Sequence, residues 1–79
     1  MSDEKTINVN PVDDSYEEWE FSFPYSAPLN DELKTRVPSA ERRWDPESKC
    51  WVVTDKWKEF TLGLVVRYLP GVRVVESDV

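Results

Sequence analysis

The chain has no histidine, one cysteine and only two glycines among its 79 residues. Without histidine, Ser-His-Asp and Cys-His catalysis are excluded, and the commonest transition-metal ligand is missing. A single thiol, Cys50, cannot close an internal disulfide, so the fold does not rest on oxidation. Gly63 and Gly71 lie apart and neither precedes a lysine, which leaves no glycine loop to cradle a phosphate. Long apolar runs are lacking too. The longest, 62–66, is interrupted by Gly63 and is far too short to span a bilayer. Met1-Ser2-Asp3-Glu4-Lys5 carries no apolar signal region. We therefore expect a cytoplasmic, noncatalytic chain with no metal, no other cofactor and no membrane partner.

Aromatic residues are what the chain does have. Four Trp, three Tyr and three Phe make 13% of the sequence, although only 39% is hydrophobic overall. Large rings bury much area each, which favours a folded mini-domain over a disordered chain. A domain of this length has a thin core and a stability of roughly 3–5 kcal/mol.

Charge is distributed unevenly. Residues 1–20 hold seven acids (Asp3, Glu4, Asp13, Asp14, Glu17, Glu18, Glu20) against Lys5, which equals the whole chain's net −6. Residues 21–75 hold seven acids and nine bases, a net +2. The acidic balance belongs to the N-terminal quarter and does not exclude an anionic partner for the rest.

Thr6-Ile7-Asn8-Val9-Asn10 alternates polar and apolar residues, as a strand does. A turn cluster at 11–15 follows. Trp19, Phe21 and Phe23 then share one face of a second strand, opposite Glu18, Glu20 and Ser22. Ser26 is placed to cap a helix with Pro28 in its first turn and a stripe of Leu29, Leu33 and Val37, stopped by Pro38. Asp45-Pro46 predicts a turn, and a four-residue loop pairs Asp45 with Cys50 and sets Trp44 opposite Trp51. Thr54 caps a second helix whose core positions are Trp57, Phe60, Thr61, Leu64 and Tyr68, widened by Val65, Val66 and Leu69. Pro70-Gly71 ends it, and Val72, Val74 and Val75 form a last strand. The expected fold is a single α+β domain over 6–76, ordered β-β-α-β-β-α-β, with two helices packed on one face of a mainly antiparallel sheet. Residues 1–5 are expected to be a flexible acidic start and 77–79 a frayed end.

The most specific string is Arg42-Arg43-Trp44-Asp45-Pro46-Glu47-Ser48-Lys49-Cys50-Trp51-Val52-Val53. It follows Phe21-Ser22-Phe23-Pro24-Tyr25 and a short helix, and precedes a helix ending in Tyr68-Leu69-Pro70-Gly71-Val72. This order resembles the HARP domain and HARP-like modules, which accompany annealing helicases and helicase cores or stand alone as small proteins. The anchors are Phe21 and Phe23, Leu29 and Leu33, Arg43-Trp44-Asp45, Lys49-Cys50-Trp51, and the run from Leu64 to Val74. The resemblance implies a noncatalytic module for single-stranded or branched DNA, without the helicase motor.

Arg42, Arg43, Lys49, Lys56 and Lys58 are the candidate phosphate contacts, with Trp44 and Trp51 as candidate stacking platforms. The same bases could instead pair with Glu41, Asp45, Glu47, Asp55 and Glu59, and the two Trp could clamp the hairpin or fill the core. Arg42 and Trp44 share a strand face, which hints at an exposed Arg–Trp surface. A second function is carried by the acids: Asp13, Asp14, Glu17, Glu18 and Glu20 can engage a DNA-handling protein, as a small acidic adaptor or inhibitor. A dimerising edge at 72–75 is a third possibility.

Overall fold

The computed structural model describes residues 6–76; the expectations for 1–5 and 77–79 lie outside the described residues. The elements are β1 (Thr6–Pro11), β2 (Glu18–Ser22), α1 (Ala27–Arg36), β3 (Arg42–Asp45), β4 (Cys50–Thr54), α2 (Lys58–Tyr68) and β5 (Arg73–Glu76). Short 3-10 turns, Ser39–Glu41 and Asp55–Trp57, precede β3 and α2. The strands form one sheet in the order β3-β4-β2-β1-β5. β3 and β4, β4 and β2, and β2 and β1 pair antiparallel, while β5 joins the β1 edge in parallel. This is the α+β arrangement of two helices with a mainly antiparallel sheet that the alternation implies.

Period-two patterning sets which face is covered. Ile7, Val9, Trp19, Phe21, Trp51 and Val53 point to the helices, where they meet Leu29, Leu33, Val37, Leu64 and Val65. Register brings Val9 opposite Phe21 and Phe21 opposite Trp51. The far face carries Asn8, Asn10, Glu18, Glu20, Arg43 and Asp45, but also buries Val52 and Cys50. Val52 is flanked across the strands by Glu20 and Arg43, residue types whose aliphatic stems can lie over apolar surface.

The first helix forms as its sequence dictates. Ser26 is extended and its Oγ accepts from the Leu29 N–H at 3.4 Å. Val37 closes the helix in β conformation before Pro38. Leu29, Leu33 and Val37 are fully buried. Ser26→Ala is expected to lower unfolding free energy by about 1 kcal/mol, read as a shift of the urea midpoint.

Three details of the second helix depart from expectation. Thr54 does not cap it: its hydroxyl donates to Glu41 Oε1 at 3.0 Å, and a 3-10 turn intervenes before Lys58. That turn is held by β2 and the residue before it, because the Asp55 N–H donates to the Glu17 carbonyl and Asp55 Oδ1 accepts from Trp19 Nε1 at 2.9 Å. The buried stripe is Thr61, Leu64 and Val65. Phe60 and Val66, expected in the core, are each 42% exposed. Phe60 packs edge-on against Trp57, with centroids 5.5 Å apart, over a hollow between the helices where Gly63 supplies no side chain.

Candidate nucleic-acid interface

The β3–β4 hairpin is built as its turn residues demand. Asp45 Oδ1 accepts from the backbone N–H groups of Glu47 and Ser48, at 3.1 and 3.4 Å, closing the loop. Asp45 pairs with Cys50 and Trp44 with Trp51. The two indoles meet edge to face at 5.4 Å. Trp51 is buried, whereas Trp44, on the outer strand, is 48% exposed.

Trp44 forms one wall of a groove between the hairpin and α1. Two overlapping hollows of about 270 and 360 Å³ share Tyr25, Asn30, Trp44 and Trp51 as lining. Phe21, Phe23 and Lys49 complete the first, and Lys34 the second. Tyr25 is 78% exposed. The Trp51 Nε1–H, which can only donate, meets Asn30 Oδ1 at 3.3 Å and so ties the hairpin to the helix. Lys34 and Lys49 are both exposed. Lys49 adopts φ of 53°, a left-handed conformation that lysine seldom takes.

The groove gathers Trp44, Lys49 and the edge of Trp51 from the expected binding set and leaves the other four outside. Arg42 does share a face with Trp44, but that face turns towards α1. Its Nε donates to the Val37 carbonyl at 3.0 Å and its Nη2 to the Lys34 carbonyl at 3.2 Å. Its guanidinium carbon lies 5.9 Å from the Trp51 ring centroid. Arg42 therefore finishes the C-terminal end of α1 rather than forming an exposed Arg–Trp surface. Arg43 points to the opposite sheet face and lies 3.6 Å from Glu18. Lys58 sits 3.8 Å over the Trp19 ring and 3.1 Å from Glu76, with its side chain 17% exposed. Lys56 is exposed on the turn before α2.

Sequence reasoning missed Phe23, Tyr25, Asn30 and Lys34. A signal was present: Tyr25 continues the 21, 23, 25 alternation past the strand end. Asn30 and Lys34 each follow a buried leucine and so flank the α1 stripe.

No family model, no curated protein and no solved structure matches this chain.

The acidic candidates divide between two places. Asp13 and Asp14 lie in the β1–β2 turn, where Asp13 Oδ1 accepts from the Ser15 backbone N–H and hydroxyl. Those bonds favour the carboxylate and lower the Asp13 pKa. Glu17 precedes β2 and is exposed, and its carbonyl anchors Asp55. Glu18 and Glu20 stand on the sheet face away from the helices. There Glu20, Asp45 and Cys50 bring ligand atoms within 4.8 Å of one another. Burial first, then the Glu20 and Asp45 charges, push the Cys50 thiol up, partly offset by Arg43. A thiol held protonated is a poor nucleophile and a poor metal ligand.

Proposed function

We propose that the chain is a noncatalytic nucleic-acid-binding module that takes single-stranded or branched DNA into the groove between α1 and the β3–β4 hairpin. The observation that carries this reading is an exposed aromatic pair, Tyr25 and Trp44, lining an apolar groove that Lys34 and Lys49 also line. A base stacks on a ring regardless of its identity, while lysines alongside neutralise the backbone. The left-handed Lys49 supports it further. Strained backbone tends to persist at functional sites, and Lys49 lines the same hollow as Trp44. The HARP resemblance agrees in kind, and we propose the chain as a HARP-like accessory module.

The test is titration of labelled single-stranded and forked DNA at two salt concentrations, followed by anisotropy and Trp quenching. Salt-sensitive, quenching binding is expected. No binding at low salt refutes the reading. The double variant Lys34→Gln/Lys49→Gln is expected to reduce the slope of log K against log salt by about 1.4, since each lost single-strand phosphate contact removes roughly 0.7. An unchanged slope would remove these lysines from the site.

A second reading, an acidic adaptor for a DNA-handling protein, is favoured by the sheet face away from the helices, which presents Glu18, Glu20 and Asp45. Deleting residues 1–14 would not test it, because Thr6–Pro11 is an interior strand. Neutralising Glu18 and Glu20 tests it within the intact fold: loss of a partner's binding supports the adaptor, and an unaffected complex removes these acids from it.

A further inference from the structure

We infer that the outward face of α2 is a self-association surface, on which a second copy of this chain docks antiparallel about a twofold axis beside Gly63. Glu59, Phe60, Gly63, Val66 and Arg67 are the exposed residues of α2. At about 100° per residue they fall within one arc of about 120° centred on Gly63, on the side away from the buried Thr61, Leu64 and Val65. α2 lines neither hollow of the nucleic-acid groove, so the inference stands apart from that reading.

The single chain does not explain Gly63. Glycine inside a helix is destabilising relative to alanine, yet a Cβ at this position would meet nothing within 4 Å. Two helices crossing there do explain it, because the side chains at a crossing set how closely the axes approach. The sequence around Gly63 is also self-complementary. Glu59 and Arg67 lie four residues before and after it, and Phe60 and Val66 lie three. A twofold pairing therefore sets Glu59 level with the partner's Arg67 and Phe60 level with the partner's Val66, each contact occurring twice. Phe60 and Val66 are both 42% exposed. Neither Glu59 nor Arg67 forms an ion pair among the described residues, whereas the neighbouring Arg36 and Glu32 already pair with each other. The hollow lined by Phe60, Gly63 and the buried Leu64 gives the partner's Val66 apolar room. An acid first and a base last also suit the helix dipole, but the dipole calls for neither the apolar pair nor the glycine. One face of an 11-residue helix is smaller than a standard interface, so the dimer is weak, with a Kd on the order of 10–100 μM.

The test is sedimentation equilibrium of the full chain at concentrations spanning that range. The mass is expected to rise from one chain towards two, and a single chain's mass throughout overturns the inference. Arg67→Glu sets like charges against each other in both symmetry-related contacts and should weaken dimerisation about 5- to 30-fold. The double variant Glu59→Arg/Arg67→Glu restores opposite charges and should return the affinity to near the wild-type value, even though it opposes the helix dipole and lowers the urea midpoint. Charges that served only the helix would leave association lost in the double variant, and that result overturns the pairing. Gly63→Gln fills the crossing and should abolish dimerisation, while the urea midpoint of the dilute monomer rises because glutamine is the better helix former. Circular dichroism verifies that each variant is folded. A dimer that survives both Arg67→Glu and Gly63→Gln overturns the assignment to this face.

Discussion

Trp44→Ala is expected to weaken binding of single-stranded DNA by roughly 5- to 150-fold and to leave the domain folded. The two halves of that expectation come from different contacts. Stacking one base on an aromatic ring contributes about 1–3 kcal/mol, and Trp44, like Tyr25, lines the groove with much of its surface free. Its role within the fold is smaller. It meets Trp51 edge to face from an outer strand. Such a pair adds roughly 0.5–1.5 kcal/mol beyond area burial, less than the whole stability of a domain this size. Trp44→Phe keeps a smaller stacking face and should recover part of the affinity. Anisotropy titration beside a urea melt separates the two effects. A folded Trp44→Ala protein with unchanged affinity would remove Trp44 from the interface and take the groove reading with it.

The fold was legible where local chemistry and burial agree. Ser26, Pro28 and the Leu29-Leu33-Val37 stripe specify α1 from three independent directions: cap, entry and buried face. Asp45-Pro46 and the flanking Trp residues specify the hairpin and its register. The second helix was less legible because Trp57, Phe60, Leu62, Val65 and Val66 surround it with apolar side chains. With so wide an apolar arc, periodicity does not say which third faces the sheet. The turn held by Asp55 and Trp19, two residues 36 apart, sets that rotation. The parallel pairing of β5 with β1 likewise depends on where α2 ends in space. The site was half legible for a related reason. Strand parity put Arg42 and Trp44 together, yet it does not say that a helix end would claim the arginine. A carbonyl-rich helix terminus five residues upstream did so. The groove itself joins β2, α1 and the hairpin, and no local pattern encodes a junction of three elements.

Phe21→Ala is expected to cost about 3–5 kcal/mol, comparable to the domain's entire stability, so that much of the protein unfolds at room temperature. Phe21 is fully buried on a strand paired on both sides, opposite Val9 in β1 and Trp51 in β4. Its removal opens a cavity where the sheet cannot close without shifting two registers. Circular dichroism and the urea midpoint report the loss; a midpoint near that of the wild type would mean that the helices collapse onto the gap. The same alternation then runs outwards. Phe23 is half-buried and Tyr25 is 78% exposed, and all three line the groove. Alanine substitution along 21, 23 and 25 should therefore exchange one loss for the other, with the stability cost falling at each step and the affinity cost rising at Tyr25. One run of aromatic residues thus begins as core and ends on the proposed binding surface. A chain of this size has few large rings, so a proposed site on its surface draws on the same aromatic run as its core.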